Sequence, residues 1–513
     1  MKSIFQLSFW GLIFSFSTNA HAEQASVAEK DTSAIHTIIV VFDGLRPDYI
    51  KPEWMPHLYA FSKKAAYGKD NHSVFPTVTR VNAASYATGS YPAGHGLMGN
   101  AVYLPATNAQ KSVSTGNAGN LRHIMDITSG KLLTAPSLGE VLRSAGERMF
   151  VYSSGTTGQA FLQNHTVNGA VINPDLVLPG SFKSELTASI GPPPEDATPN
   201  NARHRWITDA LCRYTLAAGG PLVSAIWFSD PDGTAHEHGI GVPITITALK
   251  TVDAQFGRML DTIRARGLEH VFNIIVTADH GFVTHTGKQG FTDFLIQERL
   301  KKSKDSDDII LADGALYIKD HNPVLIQKVV ESLQEQEWVG AIFTKAAKPG
   351  SMRGTIKGTL SFESIHWNHP QRTADILVTE NWNNNKNNLG YAGTDFAGGV
   401  AGHGGSSPYE IHIPLIVYGP SFKTSMESNL PTSNIDIVPT ILKIHHIAAP
   451  VQMQGRVMYE LLRNKNIPQP GNPKKETILV EAKLKQGKYK LMLERTVLGK
   501  YNYINYTLVT RER

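Results

Sequence analysis

Short apolar runs alternate along the chain with longer segments of helical pattern. Ile38–Phe42, Met149–Tyr152, Ala225–Phe228, Ile274–Val276, Ile376–Val378 and Ile413–Tyr418 read as strands. Met55–Tyr67, Ser137–Ala145, Asn201–Ala217, Thr247–Arg266 and Pro323–Gln334 read as helices between them. This alternation predicts an α/β fold with a central, mostly parallel sheet flanked by helices. The stretches 101–131 and 301–372 are less regular and are expected as insertions, one of them forming a cap. Residues 191–201 read as a Pro-rich surface loop and 381–388 as a polar one. Glu476–Arg513 alternates Val, Leu and Tyr with charges and is expected to add edge strands.

Composition narrows the class. The chain has 513 residues, 41% of them hydrophobic, enough for a large core. The expected division is a leader, a main domain over 35–460 and a C-terminal extension, 461–513, packed on it. The net charge of +5 (49 basic against 44 acidic residues) is mild, and no Lys/Arg block stands out. Nucleic acid is therefore not implied as a main partner. Lys2, the apolar run Ile4–Phe16 and Ala20-His21-Ala22 read as a secretory signal peptide over 1–22, followed by a disordered leader to residue 34. No later stretch is long and apolar enough to span a bilayer, and nothing in the chain fixes an oligomeric state. Cys212 is the only cysteine, which excludes an intrachain disulfide and suits a bacterial periplasm or secretion. It lies on a predicted amphipathic helix and is expected to be packed there.

The candidate chemistry sits largely where apolar runs end. Ile38–Phe42 runs into Asp43-Gly44, Ala225–Ser229 into Asp230-Pro231-Asp232-Gly233 with His236 beyond, and Ile274–Ala278 into Asp279-His280-Gly281. In an open parallel sheet the carboxyl ends of the strands face one crevice, so these residues converge although far apart in sequence. Asp232 and His236 are four apart and share one side of a helical turn, so both reach one ion. His403 lies in a glycine-rich loop, Gly398–Gly405, which lets the backbone bring one imidazole close to a metal. Any one of these acids alone reads as a helix cap or turn former. Together they suggest a two-metal hydrolase rather than a binding module.

Thr79 is the candidate nucleophile. It precedes a helical stretch, where amide dipoles favour a phosphoryl group. The same position also suits a helix cap, and Thr77 is the neighbour that could be mistaken for it. Gly94–Gly99 fits G-x-G-x-x-G but follows a Tyr-Pro turn rather than a strand, so it is not a dinucleotide site. His95 reads as a structural histidine.

These motifs resemble the alkaline phosphatase superfamily, and within it the nucleotide pyrophosphatase/phosphodiesterase family. The resemblance rests on Asp43-Gly44, Pro76-Thr77-Val78-Thr79-Arg80-Val81-Asn82, Thr88-Gly89-Ser90-Tyr91-Pro92-Ala93-Gly94-His95-Gly96, Asp232 with His236, Ala278-Asp279-His280-Gly281 and Gly402-His403-Gly404, in the family's order. It departs at Ala401, where the family has Gly, and at Arg80, where nucleotide-cleaving members carry an aromatic residue. Arg80 can clamp an anionic substrate or stack on a ring. The resemblance implies an alkaline-phosphatase-like fold and two divalent metal ions, with zinc suiting the His and carboxylate donors. It implies one ion on Asp232, His236 and His403, and the other on Asp43, Asp279, His280 and the Thr79 oxygen. It implies Asn100 as a donor to a phosphoryl oxygen, and a small phosphate ester, such as a nucleotide, as substrate. The activity implied is phosphodiester or pyrophosphate hydrolysis through a phosphothreonine. Phosphomonoesterase and phosphonate hydrolase are the alternatives within the superfamily, and a non-catalytic metal-binding protein is the one outside it.

Overall fold

The computed structural model describes residues 34–463 and 471–512. The predicted signal peptide and nearly all of the predicted leader lie outside the described residues.

The strand His36–Phe42 is buried along its whole length. Ile38, Val40 and Phe42 point into one core, and Ile39 and Val41 into the other, as a pleat of period two demands. This strand lies in the middle of a nine-stranded sheet. The order is Met426–Ser433, Ala66–His72, Leu415–Tyr418, Phe272–Thr277, His36–Phe42, Val223–Phe228, Met149–Ser153, Gly169–Asn173 and Leu176–Leu178. From Phe272–Thr277 through Gly169–Asn173 all neighbours are parallel. The expected mostly parallel sheet is therefore present, flanked by helices that include Asn201–Tyr214 and Pro243–Ala265. Cys212 is half-buried on the first of these, and burial pushes its thiol up.

Three expectations are corrected. The helix expected over Met55–Tyr67 stops at Lys64, and the chain turns directly into the strand Ala66–His72. Apolar spacing alone does not mark that switch. Ile376–Val378 forms a strand, but in a separate five-stranded sheet ordered Ile309–Ala312, Ala315–Ile318, Ile376–Glu380, Val339–Thr344 and Leu360–Ser361. The helix Pro323–Gln334 packs on this sheet around its own apolar cluster, which includes Val329, Leu333 and Ile342. The C-terminal residues pair with each other as Lys474–Lys483, Lys488–Leu498 and Tyr501–Glu512 instead of extending the central sheet.

The C-terminal sheet is tied to both larger sheets. Tyr489 donates to the Gly340 carbonyl at 2.9 Å, and Tyr503 to Asp436 at 3.0 Å. Arg372 joins the two irregular stretches read from the sequence. Its guanidinium is buried and donates to the carbonyls of Gly96 (3.0 Å), Lys131 (2.6 Å) and Leu132 (2.8 Å). Arg372→Ala strands those three acceptors. Denaturant unfolding should show a loss of about 3 kcal/mol, since buried groups left without partners cost about 1–3 kcal/mol each and relaxation recovers part. A loss below about 0.5 kcal/mol would show that water replaces the guanidinium freely.

Candidate active site

The parallel strands deliver their acids to one edge. Asp43 follows His36–Phe42, Asp232 opens the short helix Asp232–His238 just beyond Val223–Phe228, and Asp279 and His280 follow Phe272–Thr277. Gly44 makes the first turn possible. Its φ is +72°, and a Cβ there would lie 3.1 Å from the Asp232 backbone. Its N–H donates to Asp279 Oδ1 at 3.1 Å. At Gly281 a Cβ would run into the Tyr409 carbonyl.

The donors fall into two groups, Asp232 with His236 and His403, and Asp43 with Asp279 and His280, the ligand atoms of each group lying within 4.8 Å of one another. Asp232 Oδ1 is 3.3 Å from His236 Nε2, 3.2 Å from His403 Nε2 and 3.9 Å from His280 Nε2, so it stands between the groups. His280 Nε2 is 3.0 Å from Asp279 Oδ2 and 3.5 Å from Asp43 Oδ1. The rings of His280 and His403 stack with centroids 3.4 Å apart.

Two observations fit this donor set to cations. Asp43 Oδ1, Asp232 Oδ1 and Asp279 Oδ2 are buried and carry no hydrogen bond, whereas the other oxygens of Asp43 and Asp279 are engaged by Trp227 Nε1 (2.9 Å) and by Gly44 N. All three histidines present Nδ1 to a backbone carbonyl: His236 to Ala401 (3.0 Å), His280 to Gly281 (3.0 Å) and His403 to Thr77 (2.7 Å). A carbonyl only accepts, so Nδ1 holds the proton and neutral Nε2 keeps its lone pair for a metal.

Without a cation the electrostatics are unfavourable. Burial, then the charges of Asp279 and Asp232, hold the Asp43 carboxyl well above its usual range. Burial opposes ionisation of Asp232, but His236 and His403 hold its carboxyl well below the ordinary value. Burial and the neighbouring His280 push His403 down to about 4. Against the effect of burial, Asp232 raises His236 and Asp279 raises His280. Divalent cations placed among these groups would replace proton-sharing as the means of holding the charge.

Thr79 is the first residue of the helix Thr79–Thr88; Val78 occupies the cap position, so Thr79 is not a helix cap. Its Oγ1 is 3.2 Å from His280 Nε2. Thr77 is tied down elsewhere, donating to the Gly405 carbonyl (2.7 Å) and accepting from Gly404 N (3.1 Å). It thereby fixes the His403 loop. Asn100 Oδ1 accepts the Arg80 backbone N–H at 3.0 Å, which orients the amide and leaves Nδ2 as the donor for a ligand. Arg80 and Asn100 line cavities beside this cluster. His95 is buried and bonded to Ser85 (3.1 Å) and Leu97 N (3.1 Å), away from the cluster's ligand atoms.

Sequence reasoning missed the supports. Trp227 clamps Asp43, and Asp313 of the second sheet's hairpin accepts from Ala101 N at 2.9 Å beside Asn100. Asn82 bonds both the N–H and the carbonyl of Val74, and Asn434 bonds Asn82, locking the Thr79 segment. The alternation at Trp227 marks it only as a core residue. Asp313 and Asn434 carry no local signal.

The type I phosphodiesterase / nucleotide pyrophosphatase family matches residues 37–385. The chain belongs to that family. Membership places this phosphodiesterase-family protein among hydrolases of phosphodiester and pyrophosphate bonds. It is 24% identical over 451 residues to the mouse bis(5'-adenosyl)-triphosphatase enpp4, covering 86% of this chain and 83% of that one. It is 26% identical over 252 residues to rat ectonucleotide pyrophosphatase/phosphodiesterase family member 1, covering 48% of this chain and 24% of the relative. The fold matches murine ectonucleotide pyrophosphatase/phosphodiesterase 5 with a TM-score of 0.59 at 19% identity, over 83% of this chain and all of that one. A variant of the alkaline phosphatase PafA matches with a TM-score of 0.62 at 14% identity, over 83% of this chain and 98% of that one. The alkaline-phosphatase-like fold is thereby established.

Trp227→Phe removes the bond that orients Asp43. Competition against a chelating dye should show metal affinity lowered by about 10- to 100-fold, the usual effect of losing such a support; unchanged affinity would show that the Trp227 bond does not orient a metal ligand. Protons compete for the same atoms, and those on His236 and His280 are held above the ordinary histidine value. Metal affinity should therefore climb with pH through and beyond that value. Affinity flat across that range would contradict the assignment.

Proposed function

We propose that this protein is an exported two-metal phosphodiesterase and nucleotide pyrophosphatase that acts through a phosphothreonine at Thr79. The observation that carries the proposal is the Thr79 hydroxyl placed 3.2 Å from His280 Nε2, among three buried carboxylate oxygens that lack partners. Asp232, His236 and His403 would hold one divalent ion, and Asp43, Asp279 and His280 with the Thr79 oxygen the other. When bound, the ions supply Lewis-acid stabilisation of phosphoryl oxygens and make hydroxyl and water more acidic. Zinc suits the mixed imidazole and carboxylate donors.

The protein groups divide the remaining work. Thr79 Oγ, its proton passed to solvent water, attacks phosphorus; the P–Oγ bond forms as the P–O bond to the departing alcohol breaks, and that alcohol leaves with a proton from water. Water then attacks the phosphothreonine and restores the Thr79 hydroxyl. Thr79 opens a ten-residue helix, whose positive end favours the phosphoryl group. Asn100 Nδ2 donates to a non-bridging oxygen. A neutral amide suits a diester monoanion. The secretory signature in the first 22 residues supports a periplasmic location.

A second reading, phosphomonoesterase, is favoured by one feature. Arg80 forms no ion pair among the described residues, and its Nε is buried without a partner. A free guanidinium beside the nucleophile could compensate the extra charge of a monoester. With p-nitrophenyl esters, diester turnover should exceed monoester turnover, and Arg80→Ala should mainly raise the diester KM. A monoester preference lost selectively in Arg80→Ala would establish the second reading instead.

Thr79→Ala should lower kcat by at least about 10³-fold while metal content stays near wild type. Thr77→Ala should retain far more turnover and weaken metal binding at His403. The opposite ranking of the two variants would move the nucleophile to Thr77.

A further inference from the structure

Two cavities flank the metal-ligand cluster, and Thr79 lines the smaller of them. One, of about 420 Å³, holds Asn100, His236 and His403 and has mixed walls, with Phe75, Met98, Phe291 and Leu377 beside Asp313, Glu380 and Asp395. The other, of about 290 Å³, holds Asp43, Thr79, Arg80 and Asp232. Its remaining lining is polar: none of its described residues is aromatic, and alanine is the largest aliphatic side chain among them. A base has no aromatic face to stack on there, and aromatic stacking is the part of base binding that tolerates any base.

This cavity also has hydrogen-bonding groups without partners. Gln159 and Asn200 line it and are 1% and 9% exposed. Ser153 donates to Gln159 Oε1, and Asn200 Nδ2 donates to Asp196 (2.8 Å). Gln159 Nε2, a donor, and Asn200 Oδ1, an acceptor, remain without partners. A hydroxyl both donates and accepts, so neighbouring hydroxyls can serve such a pair, whereas an apolar arm would leave both unsatisfied.

Charge narrows the choice further. Of the two arginines in the lining, Arg203 is held by Asp175 (2.7 Å) and Asp196 (3.5 Å), so it offers no second phosphate site. Asp230 is held by His204 at 2.8 Å, and His204 by Ser154 at 2.9 Å, which makes that wall rigid. Arg80, next to Thr79 in the chain, forms no ion pair among the described residues, and its Nε has no partner. The volume lies at the small end for ligand cavities.

We propose that this cavity takes a small, hydroxyl-rich alcohol arm of the diester, of the glycerol or single-sugar class, and not a nucleoside, with Arg80, Gln159 and Asn200 setting that preference. The proposal rests on the phosphodiesterase reading. It makes the substrate unsymmetrical, with its second arm in the larger cavity, which does carry aromatic side chains.

The test compares p-nitrophenyl diesters of glycerol phosphate and of thymidine 5'-phosphate on the metal-loaded enzyme. The glyceryl diester should show kcat/KM at least about tenfold higher. Asn200→Leu should reduce that preference through KM, and Arg80→Phe, which adds an aromatic face, should shift the ratio toward the thymidylyl diester. Calorimetric binding of glycerol 3-phosphate and thymidine 5'-phosphate to metal-loaded Thr79→Ala reads the cavity without turnover, and glycerol phosphate should bind more tightly. Tighter binding of thymidine phosphate, or a thymidylyl preference insensitive to both variants, overturns the proposal. Failure to cleave either diester, with glycerol phosphate still bound more tightly, sinks the phosphodiesterase reading and sustains the cavity's specificity.

Discussion

Three carboxylate groups, two buried and one half-buried, crowd together where the central strands end, and the rest of the site follows from that constraint. Asp43 and Asp279 are nearly inaccessible, and Asp232 carries a buried oxygen between two histidines. Like charges in a place of low dielectric repel strongly unless protons or cations intervene. The protein supplies three imidazoles whose Nδ1 protons are all turned toward backbone carbonyls. What is left facing the carboxylates is a set of lone pairs, which calls for cations.

The fold meets that requirement through parallel strands. Three neighbouring strands end at the same edge and each passes directly into a ligand segment, so convergence needs no long-range accident. The fourth segment, the His403 loop, follows the short strand Ala401–Gly402, which pairs outside the central sheet. It is held by Thr77, whose hydroxyl and carbonyl both bond to it. One short stretch of chain therefore positions both the His403 imidazole and, two residues later, the Thr79 hydroxyl. The second sheet contributes through Asp313, which braces the backbone next to Asn100.

Sequence patterns revealed some of this and not the rest, for physical reasons. The acids at strand ends were readable because a buried parallel strand is a continuous apolar run and its end is abrupt. The Asp232–His236 pair was readable because helical spacing alone brings the two side chains together. Trp227 was not, because a core tryptophan and one that clamps a carboxylate look alike in sequence. The switch from helix to strand near Ala65 was missed because the strand Ala66–His72 has only Ala66 and Tyr67 as apolar residues, and these continue the spacing of the helix. The separate second and C-terminal sheets were missed because strand pairing is a long-range choice that alternation does not encode. Arg80 stood out as unusual in sequence, yet the polar character of the cavity beside it comes from Gln159, Asn200 and Ser154, which are distant in the chain.

The central claim is that two cations occupy two defined groups of ligands. Diffraction from crystals grown with zinc, recorded at the zinc absorption edge, tests it directly. The account predicts two anomalous peaks per chain, one enclosed by Asp232, His236 and His403, the other by Asp43, Asp279 and His280 with Thr79 Oγ1 in contact. A single peak, or two peaks with either group of three unoccupied, would contradict it.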